Sequence, residues 1–171
     1  MTSLVCETHR ARIEQIGPRD VEDMHLVYGD PLVVGFVDNG EPLDRAGCVR
    51  WVEVTEANVR TRGYGMCIVR CRETRELIGF IGLVHPGGQE VPEIKYALRP
   101  QWWGRGYASE LVAGLTSHGI THLGMDRIIA TVHPENTASA RVLKRCGYRL
   151  IETRTNEDGS ETLVFGFEPS R

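Results

Sequence analysis

The chain has 171 residues, 41% of them hydrophobic and 25% charged, and a net charge of -3. These values suit one globular domain with its own core. They exclude a strongly basic surface of the kind that draws a protein to nucleic acid or to a membrane, and no apolar run approaches the ~20 residues of a membrane span.

The first ten residues, Met-Thr-Ser-Leu-Val-Cys-Glu-Thr-His-Arg, lack the apolar centre of a signal peptide, so a cytoplasmic location is expected. Five cysteines, Cys6, Cys48, Cys67, Cys71 and Cys146, are an odd number without a Cys-x-x-Cys pair, which argues against a disulfide framework or a zinc site. Cys67 and Cys71 have the spacing to share one face of a strand, as small buried hydrophobes.

In chain order, residues 10–16 alternate charged and apolar side chains and read as a first strand. Gly17-Pro18-Arg19 makes a turn, Asp20 stands where a cap belongs, and residues 21–28 form a short helix with Glu22 and Asp23 in its first turn. Asp30-Pro31 is expected to break that helix. Residues 32–37 are an apolar stretch and 38–43 a loop. A helix over residues 45–60 follows, with Val49 and Val52 on one side and Trp51 a core candidate. Residues 66–70 and 77–83 are two apolar runs joined by Glu73-Thr74-Arg75-Glu76, the pattern of a hairpin. Gly79 and Gly82 mark a twist or the close approach of another backbone.

Residues 91–108 organise the rest. Glu93-Ile94-Lys95-Tyr96-Ala97-Leu98 is a strand, ended by Arg99-Pro100 because proline lacks the N–H a ladder needs. Gln101-Trp102-Trp103-Gly104-Arg105-Gly106-Tyr107-Ala108 then leads into a helix over residues 104–123 with Leu111, Val112 and Leu115 in helical period. Residues 127–132 are a continuous apolar run, the mark of a buried strand parallel to its neighbour. Strand, helix and strand make a right-handed crossover, with a ligand expected at the carboxyl ends of the two strands. Asn136 caps a helix over residues 137–147 that Gly147 ends. Strands at 148–153 and 162–167, joined by a turn at 156–160, form a terminal hairpin.

A glycine turn that opens a helix binds anions. The first N–H groups of a helix have no partner within it, the dipole leaves about half a positive charge there, and glycine keeps a Cβ out of the way. Two familiar motifs are excluded: the third glycine of a dinucleotide turn is here Ser109, and the phosphate loop's Gly-Lys-Ser/Thr is missing. The pattern Gln101-x-x-Gly104-x-Gly106-x-Ala108 resembles the coenzyme A pyrophosphate loop of the GCN5-related N-acetyltransferases, the GNAT superfamily. The run Glu76-Leu-Ile-Gly-Phe-Ile-Gly-Leu83 is similar to the same family. So is Asn136-x-x-Ser139, a helix, then Cys146-Gly147-Tyr148, in the family's order and separation. Within the family, Glu-Ile-Lys-Tyr-Ala-Leu-Arg-Pro and Asn-x-x-Ser look most like the RimJ/RimL-like ribosomal-protein N-terminal acetyltransferase branch, which also contains antibiotic and small-amine modifiers.

The resemblance implies a single α/β domain over residues 1–171, with a mixed, mostly antiparallel sheet flanked by helices and a parallel strand pair splayed at the acyl-CoA site. It implies an acetyl-CoA-dependent N-acetyltransferase, with no metal, acting on a protein N-terminus or a small-molecule amine by direct attack on the thioester. Monomer and homodimer both stay open, and the early helices would flank the acceptor. Ala97, Leu98, Gln101, Trp102, Trp103, Gly104, Arg105, Gly106, Tyr107, Ala108, Asn136 and Ser139 would hold the coenzyme, with a backbone N–H near Leu98 as oxyanion donor. Glu93 is the candidate base and Ser139 the candidate donor to the departing sulfur.

Each has a plainer reading: Glu93 a surface carboxylate or partner of Lys95, Ser139 a first-turn serine bonding backbone, Asn136 only a cap. Many relatives carry a tyrosine one turn beyond Ser139, where this chain has Leu143. Among Arg99, Arg105, Arg141 and Arg145, Arg105 is best placed for phosphate because it lies inside the turn. His133 is a weaker candidate beside the site. His118 and His122 have metal-ligand spacing but no third ligand, and a solvated face is the simpler account. Two rival readings remain: an acyl-CoA-binding module without turnover, and a nucleotide-binding protein using the same turn.

Overall fold

The computed structural model describes residues 3–170. Among these, eight strands form one sheet: β1 (Leu4–Glu7), β2 (Ala11–Gln15), β3 (Met66–Cys71), β4 (Leu77–Val84), β5 (Glu93–Leu98), β6 (Ile128–Val132), β7 (Arg149–Thr155) and β8 (Glu161–Phe167). Their order across the sheet is β1-β2-β3-β4-β5-β6-β8-β7. Every neighbouring pair is antiparallel except β5–β6. The α-helices are α1 (Val21–Tyr28), α2 (Pro31–Val34), α3 (Arg45–Arg62), α4 (Tyr107–Thr121) and α5 (Thr137–Arg145). The expected mixed, mostly antiparallel α/β architecture is the one observed.

The sheet divides two cores. On one face, Leu111, Val112 and Leu115 of α4 and Leu143 of α5 pack on Ile81, Ile94, Leu98, Ile128 and Val132. On the other, Met24, Val27 and Tyr28 of α1, Val34 of α2, and Cys48 and Val52 of α3 pack on Ile68, Phe80 and Ala97. Period-two alternation along β5 therefore sends Ile94, Tyr96 and Leu98 toward α4 and α5, and Glu93, Lys95 and Ala97 toward α1, α2 and α3. Cys67 and Cys71 join the first core together, as their spacing predicts. Gly79 and Gly82 mark close approaches: a Cβ on Gly79 would come 2.2 Å from the Ala97 carbonyl oxygen, and one on Gly82 2.4 Å from the Met66 Cα.

Four local expectations need correction. The strand β1 precedes the one expected to be first, its mixed sequence giving little periodicity to read. Asp30-Pro31 does not only end α1. The Asp30 carboxylate accepts from Leu32 N at 2.9 Å and Pro31 takes the first helical position, so the pair starts α2. Asp20 does not cap α1 with its side chain, which turns back to accept from Gly17 N at 2.9 Å. The helix expected from residue 104 begins at Tyr107, because Gly104 and Gly106 hold φ of 69° and 81°, incompatible with a right-handed helix.

Six residue pairs join β4 to β5 and five join β6 to β8, but a single bridge, Glu93–Ile129, joins β5 to β6. Beyond that bridge the parallel strands diverge toward their carboxyl ends.

Candidate active site

The opening between β5 and β6 is lined by backbone. N–H and C=O directions reverse from one residue to the next along a strand. Pro92 O accepts from Ile129 N at 2.9 Å, toward β6, and Arg99 N donates to Ile78 O at 2.9 Å, toward β4. Tyr96 and Leu98 share the parity of Pro92, so their N–H groups point into the opening. The Leu98 carbonyl is held by the Trp103 indole, whose Nε1 donates at 2.8 Å. The Leu98 N–H thus faces the opening from a strand end fixed on both sides, as an oxyanion donor must be.

The glycine turn closes the wide end. Pro100–Trp102 is one turn of 3-10 helix, and α4 starts after Gly106 with no side-chain cap. Glu110, the acid of the first turn, does not cap the helix. Its carboxylate accepts from Thr8 Oγ1 at 2.5 Å, Arg10 N at 2.9 Å and Arg10 Nε at 2.8 Å, tying α4 to the β1–β2 connection. The first amides of α4 are left to the turn. Burial pushes the Glu110 carboxyl up, but the bonds from Thr8 and Arg10 and the Arg10 charge outweigh it and hold the group below its ordinary value.

Arg10 also donates to the Arg105 carbonyl at 3.0 Å and lies 3.9 Å from the centre of the Tyr107 ring. Tyr107 in turn meets Trp102 edge-on, with centroids 5.1 Å apart. Around Gly104 a Cβ would meet nothing within 4 Å, so glycine is required there for its positive φ and the space above is open. The turn fits a diphosphate: bare amides, a helix start, and open room. Arg105 spends its guanidinium over the Trp102 ring, 4.8 Å away. Gln101, with its amide oxygen turned that way, lies 3.1 Å from the Arg99 guanidinium. Trp102 is buried, whereas Trp103 is half exposed over the strand end.

Two side-chain links cross the opening, one on each face. On the α1–α3 face the Thr131 hydroxyl donates to the Glu93 carboxylate, which is buried beside the bridge. Glu93 does not pair with Lys95, which reaches Asp38 at 3.5 Å. Phe36 packs against His133, with centroids 5.1 Å apart, so residues after α2 reach both strands over the mouth. On the α4–α5 face the Tyr96 phenol and the Ser139 hydroxyl share a hydrogen bond of 2.7 Å. Asn136 accepts from Ser139 N at 3.2 Å, which makes it the cap of α5.

The structure therefore brings the turn, Leu98, Trp103 and Ser139 around one opening. It sets Glu93 at the narrow end, about 16 Å along the strand from Leu98. Sequence reasoning missed Tyr96, Thr131, Arg10 and Glu110. The one signal available was the absence of tyrosine at Leu143, which leaves room for a phenol from elsewhere. Two concavities lie away from the opening, one beside Tyr64, His118 and Leu123, the other between α4 and Phe167 and Pro169; a slot between diverging strands is open rather than enclosed. His118 and His122 stack at 5.0 Å, and among the described residues no three His, Cys, Asp or Glu side chains gather where a metal ion could be held.

Residues 10–149 match the acetyltransferase (GNAT) domain family. The chain belongs to the GNAT acetyltransferases. It is 40% identical over 146 residues to the uncharacterized N-acetyltransferase p20 of Bacillus licheniformis, covering 83% of this chain and 80% of that one. It is 33% identical over 150 residues to the uncharacterized N-acetyltransferase YoaA of Bacillus subtilis, covering 85% and 82%. Its fold is that of RimL, the ribosomal L7/L12 alpha-N-protein acetyltransferase, solved in complex with coenzyme A, with a TM-score of 0.82, 17% identity, and 97% and 98% of the two chains covered. This GNAT protein is accordingly an acetyl-transferring enzyme, and the splayed β5–β6 pair with its glycine turn is its candidate active site.

Proposed function

We propose that this GNAT protein transfers an acetyl group from acetyl-CoA to a primary amine, of a protein N-terminus or a small molecule, by direct attack on the thioester. The observation that carries this reading is the Leu98 N–H aimed into the opening of a parallel pair whose wide end is closed by the Gly104–Gly106 turn. The diphosphate lies on the first amides of α4, and Ala97, Leu98 and Trp103 line the path of the pantetheine arm. Acetyl-CoA supplies the acyl group as the donor substrate. The Leu98 N–H holds the charge that develops on the thioester oxygen.

Glu93 is the base. From the narrow end it takes the proton of the amine through at least one water, and Thr131 orients its carboxylate. Ser139 donates to the departing sulfur. The amine enters from the face of α1, α2 and α3, past Phe36, Asp38 and Lys95, and RimL's activity on a protein N-terminus makes such an acceptor the first to try.

The test is a thiol-release assay over a panel of N-terminal peptides and small amines. Amine-dependent release of coenzyme A is expected. Tight binding of coenzyme A without release across the panel would point instead to a binding module. Competition by ATP or NAD in a thermal-shift titration would point to a nucleotide-binding protein.

A further inference from the structure

Leu143 is fully buried in the core beneath α5, so the helix offers no phenol to the site. A phenol arrives from the opposite arm. Tyr96 stands on β5 with its backbone toward the opening and its ring on the α5 side, partly buried against the core that holds Leu143. Its hydroxyl meets Ser139 Oγ at 2.7 Å, so the contact spans the splay from β5 to the helix that follows β6. Tyr96 is two residues before Leu98 on the same side, about 7 Å along the strand.

Which hydroxyl donates follows from chemistry. A phenol, ordinarily near pKa 10, is far more acidic than an aliphatic alcohol and is the stronger donor. Burial pushes the Tyr96 phenol up, and the bond with Ser139 offsets that only in part, so it keeps its proton at neutral pH. The neighbouring Cys146 thiol is itself raised by burial. With Tyr96 donating to Ser139 Oγ, the serine hydrogen is turned away from the phenol. The backbone N–H of Ser139 is meanwhile fixed on Asn136, so the serine cannot rotate freely with its helix turn.

We propose that Tyr96 is a positioning residue for the acetyl transfer: by donating to Ser139 Oγ it aims and polarises the serine O–H toward the coenzyme sulfur. This rests on the acetyl-CoA reading above. As the C–N bond forms and the C–S bond breaks, the electron pair stays on sulfur, and Ser139 donates a hydrogen bond to the resulting thiolate. The amine proton passes to Glu93 and then to water, and the thiolate takes a proton from water on release. A hydrogen bond already made by a phenol strengthens the next one in the chain, so this helix lacking a tyrosine uses one from the strand.

The test reads the bound product as well as turnover. In wild type, Tyr96→Phe, Ser139→Ala and the double variant, the thiol of bound coenzyme A is titrated by its thiolate absorbance, alongside coenzyme affinity and kcat. Losing the Ser139 hydrogen bond to the thiolate, or its aim in Tyr96→Phe, is expected to raise the bound thiol's pKa by about one unit and lower kcat about ten- to a hundredfold, with affinity for the neutral thiol form unchanged. Because Tyr96 acts through Ser139, the double variant is expected to match Ser139→Ala. A normal thiol pKa and kcat in Tyr96→Phe, a loss confined to coenzyme affinity, or additive losses in the double variant would each overturn the role of Tyr96 while leaving acetyl transfer standing. A wild-type protein that binds no coenzyme A would overturn both.

Discussion

The glycine corner and the splayed opening sit side by side but are built on opposite plans. The corner is made of backbone: two positive-φ glycines, a helix start without a side-chain cap, and a ring of contacts from Arg10, Glu110, Tyr107 and Trp102 behind it. The opening is held apart by a missing ladder and crossed by side chains, Glu93 with Thr131 and Tyr96 with Ser139. The difference teaches which losses each can bear. On the proposed reading, damage to the corner is expected to remove coenzyme binding, since a diphosphate needs all its amides at once. Damage to the opening is expected to leave binding and remove chemistry, since each hydroxyl or carboxylate is proposed to act on one atom of the reaction.

The strongest way to break this comparison is Gly104→Asp. A non-glycine residue at φ of 69° costs about 1–2 kcal/mol of backbone strain, and its carboxylate would stand where the diphosphate is proposed to lie. Coenzyme A affinity is expected to fall more than about a hundredfold, and the thermal stabilisation by saturating ligand, about 2.7 kcal/mol at a hundredfold excess over Kd, to vanish. A variant that still melts higher with coenzyme A would show that the turn is not the diphosphate site.

Next in size is Glu93→Gln, which removes the proposed base without disturbing the corner. A fall in kcat of about a hundredfold is expected with coenzyme affinity intact, measured by thiol release and by calorimetry. Thr131→Val, which keeps the shape but not the donor, should lose about tenfold. Equal turnover in both would remove Glu93 from the chemistry and leave it a structural carboxylate.

Glu110→Gln tests the support behind the corner, and its effect depends on pH. The Glu110 carboxyl lies below its ordinary value in the folded chain, so its stabilisation is fully present above the unfolded value, near 4.3, and is lost as pH falls through the lower folded value. At pH 7 the variant is expected to be less stable by about 1–3 kcal/mol in urea melts. The gap to wild type should shrink on acidification, and a gap that is constant from pH 7 to acid would contradict the ionic role.

Trp103→Phe should do least. It removes the indole donor to the Leu98 carbonyl and leaves the N–H in place, so a two- to fivefold rise in KM for acetyl-CoA at near-normal kcat is expected, about 0.5–1 kcal/mol of binding. A loss in kcat instead would mean that the strand end needs the indole to hold its oxyanion donor in line.

Most of the architecture was legible because its signals are local. Apolar runs marked β4 and β6, apolar period marked α4, and Pro100 and Gly147 marked ends of elements. Where local signals were thin the reading slipped: β1 has little periodicity, and Asp30-Pro31 serves equally to stop one helix and start another. The glycines of the corner were legible, because a glycine needed for its positive φ is written at the position that needs it, whereas the start of α4 and the Arg10–Glu110 brace were not. The opening was legible only as a place. Its side-chain links join residues 38 and 43 apart in the chain, and the brace behind the corner joins residues 100 apart.

The sequence by itself determined the order of elements, the parallel crossover and the glycine turn that opens α4, since each depends on what a few consecutive residues allow the backbone to do. Only the tertiary structure decided that Glu93 and Ser139 lie on opposite faces of one opening, that Thr131 and Tyr96 are their hydrogen-bond partners, and that Arg10 and Glu110 brace the turn. Those choices belong to how strands pair and helices cover them, and a hydrogen bond between side chains leaves no mark on the residues that lie between its ends.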